Sequence, residues 1–440
     1  MSAYDNGINL HELLKKRGYD HGLISTFSFS VRFFEEYALD RFKALQDNGN
    51  LTVFLDRGQY EEILEATTNT RDWSPRLANL RYLLHPIRVP GVFHPKVFLF
   101  TNAKHGLLVI GSANFSQDGL GANAELVSIF EFELGKNETA LPLFQSAFGF
   151  FEELVDRWPG KEASSNVNEI RRTVPWLTEE LEGPANKRLP LFLSNLREPL
   201  WPQLMRHLPG KVETLSVVSR FFDASPSMLD SITAPLGDIG IRIYTQAIIN
   251  TLAPTWIEHP LKKKKKLKIH FCSYQYGEHS QQLHGKAYAF TSGKQTTLAC
   301  GSANFSSAAL LRPATSGNVE VLLVYLSDAV GKLDPIKLFD PLGSARELTS
   351  ASQLTISEDD VTEPMPREWS FKLLLNEAVL DDGVLAIDVA EMPVGMQCRI
   401  TQANVRPVAL TLGASRAMES ASIWHRSWRG ESQMHRRLCS

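Results

Sequence analysis

The hexapeptide GSANFS occurs twice in the chain, at Gly111–Ser116 and at Gly301–Ser306. A His-x-Lys motif precedes each copy, in HPKVFLFT from His94 and in HGKAYAFT from His284. In both cases the His lies 20 residues before the Asn of the hexapeptide. The hexapeptide is neither low-complexity nor a common turn sequence. Its recurrence at a fixed distance from a second motif therefore indicates that a larger unit has been duplicated.

The similarity between the two copies extends in both directions along the chain. Upstream, SVRFFEE at Ser30–Glu36 resembles SRFFDA at Ser219–Ala224. Downstream, NAELVSIFEFE at Asn123–Glu133 and NVEVLLVYL at Asn318–Leu326 both open with Asn-x-Glu. Strand-like runs alternate with helical segments throughout, which predicts a layered α/β architecture. The apolar runs after each His-x-Lys are typical of strands that are covered on both faces.

These patterns predict four segments. We expect a first half over residues 1–158, a polar linker over 159–188, a second half over 189–345 and a C-terminal extension over 346–440. The extension matches neither half and is expected to be β-rich, with strands near Gly383–Val389 and Gln397–Leu412. Its tail, from about Arg416, has no periodic pattern, so we expect it to be poorly ordered.

The composition limits the classes of function. The chain has 440 residues, 43% of them hydrophobic, and a net charge of −3, as in ordinary globular proteins rather than strongly basic nucleic-acid binders. The four cysteines form no Cys-x-x-Cys pair, which excludes a zinc ribbon and fits a reducing compartment. The N-terminus lacks a signal-peptide pattern, and no apolar run approaches the ~20 residues of a spanning helix. We therefore expect a soluble cytoplasmic protein without a metal or cofactor.

The repeated motifs place an imidazole, a cation and an amide in each half. Residues i and i+2 of a strand share a face, so the His and Lys of each motif project together. Two such half-sites facing each other suit attack on a phosphodiester. One imidazole attacks phosphorus, the other protonates the leaving oxygen, and the lysines and amides stabilise the charged phosphate. The Glu of each Asn-x-Glu is a candidate to orient a His. The candidate catalytic residues are His94, Lys96, Asn114, Glu125, His284, Lys286, Asn304 and Glu320.

A second group of residues is predicted to contact substrate. Ser112 and Ser302 supply short polar groups beside the backbone of the repeated loop, while Arg32 and Arg220 recur in Arg-Phe-Phe. The run LKKKKKLK suits either a solvated loop or an edge that follows phosphates. The lysines of that run are Lys262, Lys263, Lys264, Lys265 and Lys266.

The paired His-x-Lys, Gly-Ser-x-Asn and following Glu resemble the phospholipase D superfamily, over roughly Leu23–Leu326. The resemblance implies two α/β halves related by a pseudo-twofold axis, each a mixed sheet flanked by helices, with one metal-independent active site between them. It also implies that His94 is the nucleophile, that His284 is the acid, and that the intermediate is a phosphohistidine.

Two positions depart from most of that superfamily. Thr101 and Thr291 stand five residues after the Lys, where most members carry Asp. This pattern is similar to that of tyrosyl-DNA phosphodiesterases and of bacterial nuclease-like members. It favours nucleic acid, DNA above all, as the substrate and partner.

Bacterial nuclease-like members of the superfamily resemble subunits of restriction or antiphage systems that work with a helicase or ATPase. The alternatives are a phospholipid hydrolase or transphosphatidylase, and a non-catalytic scaffold that binds nucleic acid. A monomer with an internal pseudo-dimer suffices for activity, and higher assembly stays open.

Overall fold

A computed structural model describes most of the chain before residue 355. The described residues are 18–39, 50–69, 75–179, 189–208, 210–247, 251–258, 268–274, 282–327 and 345–354, with the backbone of four later strands. Residues 1–367 form one compact unit and residues 368–440 a second.

The first half contains a six-stranded mixed sheet. Its strands are β1 (His21–Thr26), β2 (Leu51–Asp56), β3 (Leu83–Ile87), β4 (Val97–Thr101), β5 (His105–Gly111) and β6 (Val127–Glu133). Their order across the sheet is β3-β2-β1-β4-β5-β6. Strands β1, β2 and β3 are parallel, whereas β4, β5 and β6 continue the sheet with antiparallel pairs.

Helices cover the first sheet. They are α1 (Val31–Phe33, continued by a π-helical turn Phe34–Ala38), α2 (Arg57–Asn69), α3 (Leu141–Arg157) and α4 (Lys161–Thr173). A π-helical turn at Asp118–Ala122 follows the first GSANFS, and a 3₁₀ turn at Pro175–Leu177 follows α4.

The second half repeats this topology. Its strands are β7 (Leu191–Ser194), β8 (Thr214–Val218), β9 (Gly240–Gln246), β10 (Lys268–Tyr274), β11 (Ala287–Ser292), β12 (Gln295–Gly301), β13 (Val321–Tyr325) and β14 (Arg346–Leu348). The order β10-β9-β8-β11-β12-β13 matches that of the first sheet, strand for strand and direction for direction, with β14 and β7 added at the two edges. The helices are α5 (Leu200–Met205), α6 (Met228–Thr233), α7 (Pro254–Glu258) and α8 (Ser307–Leu310), and a 3₁₀ turn lies at Ala351–Gln353.

The predicted fold class, two mixed sheets flanked by helices, is confirmed. The strands after each His-x-Lys, β4 and most of β11, are buried on both faces, as their apolar runs predict. The pseudo-twofold axis stays a prediction.

One apolar core joins the two halves. It packs alternate residues of β4 and β5, such as Val97 and Ile110, with α3, α4 and the facing side of the second sheet, including Ala287 and Val321. Separate cores cover the outer faces of the two sheets. The ends of β4 and β11 that carry the His-x-Lys motifs therefore lie in one compact unit.

Two elements of the structure, α4 and β14, lie across the predicted segments, whose bounds stay predictions. The linker over 159–188 contains α4, which buries Ala163, Val167 and Ile170 in the shared core. Their spacing is helical, but the polar residues between them hide it. The second half extends beyond residue 345, because β14 pairs with β10. Such a short edge strand is held mainly by backbone hydrogen bonds and leaves little signal in the sequence.

The C-terminal unit contains two antiparallel strand pairs. They are β15 (Leu375–Asp381) with β16 (Val384–Val389), and β17 (Cys398–Ile400) with β18 (Val408–Leu410). The predicted β-rich extension over 346–440 stays a prediction. The tail from Arg416 lies outside the described residues.

Candidate active site

The segment before each motif His is held by the other half of the chain. The N–H of His94 donates to the carbonyl of Val319 over 3.0 Å, and the N–H of Val319 donates to the carbonyl of Val92 over 3.0 Å. In the second half-site, the N–H of His284 donates to the carbonyl of Ala124 over 3.0 Å. The bridging residues Val319 and Ala124 directly precede the Glu of each Asn-x-Glu, so each Glu is carried towards the His of the opposite half.

Each imidazole consequently contacts a carboxylate from the other half. His94 Nδ1 lies 3.0 Å from Glu320 Oε2, and His284 Nδ1 lies 2.7 Å from Glu125 Oε1. A carboxylate accepts hydrogen bonds, so these contacts assign the proton of the neutral ring to Nδ1 and leave a lone pair on Nε2. The sequence predicts both carboxylates as partners of His, and the structure shows that the pairs cross between the halves.

The serines of GSANFS hold these carboxylates. Ser112 Oγ donates to Glu125 Oε2 and accepts from the N–H of Leu126 at 2.9 Å. Ser302 Oγ donates to Glu320 Oε2 and accepts from the N–H of Val321 at 2.9 Å. Both serines are fully buried. We therefore assign them to positioning Glu, instead of the substrate contact that the sequence analysis expects.

The first residue of each Asn-x-Glu also positions the glutamate, a role that the motif alone does not predict. Asn123 Nδ2 donates to Glu125 Oε1 over 3.3 Å, and Asn318 Nδ2 donates to Glu320 Oε1 over 3.1 Å. The two asparagines recur at the same place in both repeats, and this recurrence is the signal that identifies them.

The glycine of GSANFS is needed for close packing. Gly111 is the last residue of β5, and Gly301 is the last residue of β12. A Cβ on Gly111 would lie 2.3 Å from the carbonyl oxygen of Leu126. A Cβ on Gly301 would lie 2.3 Å from that of Val321. The absence of a side chain therefore lets the adjacent strand approach closely.

The motif lysines are buried beside the histidines. Lys96 Nζ donates to the carbonyl of His94 over 2.7 Å, and Lys286 Nζ donates to the carbonyl of His284 over 2.6 Å. Their exposed fractions are 1% and 0%. Two cations in a site of low dielectric stabilise an anion far more than they would in water.

The lysines of both half-sites affect the pKa of each motif imidazole. Burial lowers the pKa of His94 well below its ordinary value, and the positive charges of Lys96 and Lys286 lower it further. Burial likewise lowers the pKa of His284 to about 4, with additional effects of Lys286 and Lys96 and an opposing effect of Glu125. Both rings are therefore neutral in the unliganded protein at pH 7.

The two carboxylates differ in their pKa. Burial alone would raise the pKa of Glu125, but the charges and hydrogen bonds of His284, Lys286 and Ser112 together outweigh it and the pKa falls to about 2. Burial raises the pKa of Glu320 above its ordinary value, although Lys96 opposes the rise. The carboxylate that contacts His284 therefore stays ionised to a lower pH than the carboxylate that contacts His94.

The two motif asparagines lie in the loops after β5 and β12. Asn114 is partly buried, and its Oδ1 lies 3.4 Å from Thr26 Oγ1, whereas Asn304 is 1% exposed. Their predicted contact with phosphate stays a prediction.

The predicted equivalence of Arg32 and Arg220 is wrong. Thr26 Oγ1 accepts from the N–H of Phe115 at 3.0 Å, and Ser219 Oγ accepts from the N–H of Phe305 at 3.0 Å. These matching contacts make Phe27, and not Arg32, the counterpart of Arg220. Arg32 is exposed on α1 and pairs with Glu36, whereas Arg220 is 7% exposed.

The lysine run and the two threonines that replace Asp are not among the groups around the imidazoles in the described residues. Lys262, Lys263, Lys264, Lys265 and Lys266 lie outside the described residues. Thr101 ends β4, and Thr291 lies near the end of β11. Five residues of strand separate each from its Lys, or roughly 16 Å. The exchange of Asp for Thr therefore alters the far ends of these strands and not the groups around the imidazoles.

Partly exposed aromatic rings lie beside both histidines. The ring of Phe27 lies 5.6 Å from that of His94, and the ring of Phe221 lies 6.4 Å from that of His284. Such rings are suited to stacking against planar groups of a substrate.

Within the described part of the chain, no cluster of three or more His, Cys, Asp and Glu side chains has a metal-binding arrangement. No helix in that part is both long and apolar enough to cross a bilayer.

Comparison with known proteins finds similarity only among solved structures. No family model matches the chain, and no curated protein does. Yeast tyrosyl-DNA phosphodiesterase is 13% identical, with a TM-score of 0.49 over 74% of this chain and 87% of that one. Phosphatidylserine synthase from Haemophilus influenzae Rd KW20 is 14% identical, with a TM-score of 0.47 over 78% and 86%. NucT from Helicobacter pylori is 16% identical, with a TM-score of 0.27 over 36% and 100%.

Proposed function

We propose that the chain is a metal-independent phosphodiesterase that acts on nucleic acid through a covalent phosphohistidine. The observation that carries this proposal is the pair of crossed His–Glu contacts, His94 with Glu320 and His284 with Glu125, beside two buried lysines. Each ring presents an Nε2 lone pair, and Lys96 and Lys286 supply the positive charge that a phosphodiester anion requires.

The two imidazoles take different roles. His94 Nε2 attacks phosphorus, the bond to the leaving oxygen breaks, and His284 gives its Nε2 proton to that oxygen. An incoming phosphodiester anion offsets the lysine charges and thus raises the pKa of both rings. Of the two rings, His284 holds a proton more readily, since its partner Glu125 has the lower pKa of the two carboxylates.

Hydrolysis of the intermediate restores both rings. The neutral His284 takes a proton from water, the resulting hydroxide attacks phosphorus, and the bond between phosphorus and His94 Nε2 breaks. Glu320 stabilises the positive charge of the phosphorylated imidazole in the meantime, as a buried carboxylate does for other catalytic histidines.

Two observations support nucleic acid as the substrate class. The motif pattern resembles that of tyrosyl-DNA phosphodiesterases, and Phe27 and Phe221 provide partly exposed rings beside the histidines. Aromatic stacking with successive bases is a common source of affinity for single strands. DNA as the preferred nucleic acid, a helicase or ATPase partner and a role in antiphage defence stay predictions.

The test is cleavage in EDTA of single-stranded DNA, duplex DNA, RNA, a 3′-phosphotyrosyl oligonucleotide and phosphatidylcholine. We expect cleavage of at least one nucleic acid, and a labelled adduct on denaturing gels that accumulates in His284→Ala and is absent in His94→Ala. A requirement for added magnesium would contradict the two-histidine mechanism. Preference for phosphatidylcholine would favour the lipid alternative, and the absence of all turnover would favour a scaffold.

A further inference from the structure

The two half-sites differ at one equivalent position. Thr26 and Ser219 each accept from the loop of their own GSANFS, and each donates to the carbonyl two residues ahead, over 2.8 Å and 2.9 Å. The residue that follows is Phe27 in the first half and Arg220 in the second. An otherwise duplicated site therefore has an aromatic ring on one side and a guanidinium on the other.

Phe27 places an apolar ring beside His94 and Lys96. Its ring lies 5.6 Å from the His94 ring, and Lys96 Nζ lies 6.0 Å from its centre. Two residues before His94 stands Val92, which is 5% exposed. The His94 side of the site thus lacks a charged group at the position that corresponds to Arg220.

The surroundings of Arg220 are polar and fixed. Its Nη1 donates to Gln282 Oε1 over 3.0 Å, and Gln282 occupies the position two residues before His284 where the first half has Val92. The guanidinium carbon lies 5.1 Å from the centre of the Phe221 ring, which in turn contacts His284. Arg220 is 7% exposed, the same fraction as His284. These contacts fix the plane of a group whose five N–H donors match the geometry of a phosphate.

We infer that Arg220 and Gln282 form a phosphate subsite on the leaving-group side of the scissile bond, for the neighbouring phosphate of a polynucleotide. The inference rests on the proposed function, in which His284 protonates the leaving oxygen. In an in-line displacement the nucleophile and the leaving oxygen lie on opposite sides of phosphorus. The groups around His284 therefore face the leaving group, and the groups around His94 face the part that stays on phosphorus.

The subsite selects a class of leaving group. A nucleotide that carries a further phosphate offers the guanidinium an anion, whereas a nucleoside, a tyrosyl group or choline does not. The enzyme should therefore favour internal phosphodiesters of a polynucleotide over those whose leaving group has no second phosphate.

The test compares three substrates with the same scissile bond: TpT, pTpT and TpTp. One of the two added phosphates lies on the leaving-group side, whichever the polarity of cleavage. We expect that phosphate to raise kcat/KM at least about ten-fold over TpT, as a charge-assisted hydrogen bond would. The phosphate at the other end should have little effect. Arg220→Gln should bring the ratio of kcat/KM close to one, and Arg220→Lys should restore part of it.

Arg206→Gln is the matched control, because Arg206 is an exposed arginine of the same half that pairs with Glu198. It should keep the wild-type ratio. Equal rates for all three substrates in the wild type would overturn the inference without any variant, and so would an unchanged ratio in Arg220→Gln. Failure of the proposed function has a different result: no hydrolysis of any substrate and no adduct on His94.

Discussion

At the scale of single residues, each motif imidazole contacts a carboxylate from the other half of the chain. Glu320 and Glu125 fix the tautomer of His94 and His284, and Ser302 and Ser112 fix the two carboxylates. The resulting chains of hydrogen bonds are buried, where each bond is stronger and each loss is more costly than in water.

Removing the charge of either carboxylate should slow the chemistry. We expect Glu320→Gln and Glu125→Gln each to lower kcat by about two to four orders of magnitude, because the ring loses both its tautomer and the stabilisation of its cation. Glu320→Gln should in addition slow the formation of the adduct in single-turnover experiments. The control is Glu347→Gln, which removes a carboxylate that lies 2.7 Å from the exposed His270. Unchanged turnover in the first two variants would contradict the assigned roles.

The depressed pKa of His284 should make stability depend on pH. Its pKa is about 4 in the folded protein and about 6.5 in an unfolded chain, so the unfolded chain binds the proton first as the pH falls. The stabilising contribution of the neutral ring is complete above pH 6.5 and is lost progressively down to pH 4. Between pH 7.5 and 5 the loss from this group is on the order of 2 kcal/mol.

The measurement is the free energy of unfolding in urea at both pH values. His284→Asn should show a smaller pH dependence than the wild type. The comparison between variants is needed because Asp56 acts in the opposite direction. Burial raises its pKa to about 6, so acidification from pH 6 to 4 favours the folded state at that residue.

At the scale of secondary structure elements, the ends of two parallel strands position the histidines. Asp56 ends β2, and its Oδ2 accepts from the N–H of Phe93 at 2.8 Å. Gln246 ends β9, and its Oε1 accepts from the N–H of Leu283 at 2.7 Å. Each therefore anchors the backbone one residue before the histidine of a His-x-Lys motif.

Loss of the anchor should affect both stability and turnover. Asp56→Ala leaves the buried N–H of Phe93 without this acceptor. We therefore expect the free energy of unfolding to fall by about 1–3 kcal/mol. We also expect kcat to fall about ten-fold, since small displacements of a catalytic group are costly. Gln246→Ala should act in the same way on the His284 side.

The control for this prediction is Glu35→Ala. Glu35 also accepts from backbone N–H groups, at Leu77 and Ala78, but it does not hold a segment that carries a catalytic histidine. It should lower stability without lowering kcat. If Asp56→Ala loses stability but keeps full turnover, the strand end does not position His94.

The sequence predicts the strands and helices whose apolar residues recur in a clear pattern. It does not predict the features that depend on contacts between distant segments of the chain. The apolar run after each His-x-Lys identifies β4 and β11, because burial on both faces leaves no polar positions. By contrast, Arg-Phe-Phe suggests a wrong alignment of Arg32 with Arg220, since the true match depends on the contacts of Thr26 and Ser219. The crossed His–Glu pairs are similarly a product of tertiary structure, so the sequence identifies the four residues but not their pairing.

At the scale of the whole molecule, the halves are interlocked at the site. Reciprocal backbone bridges join Phe93 to Val319 and Ala124 to Leu283, and the shared core continues behind them. A change that separates the halves should therefore disturb both His–Glu pairs together.

Two glycines at this junction provide a matched test of that coupling. A Cβ on Gly91 would lie 2.7 Å from the backbone of Gly317 and 2.8 Å from the backbone of Asn318, so Gly91→Ala must displace one half from the other. A Cβ on Gly285 would lie no closer than 3.6 Å to Leu126, which is an ordinary contact. We expect Gly91→Ala to cost about 1–3 kcal/mol of unfolding free energy, as overpacking does. Turnover of Gly91→Ala should fall together with its stability, because Asn318 and Glu320 come directly after the displaced Gly317 in the chain.

Gly285→Ala should stay within about 0.5 kcal/mol of the wild type and keep its turnover. Urea unfolding and single-turnover rates measure both quantities, and equal behaviour of the two variants would show that the fit between the halves does not control the site.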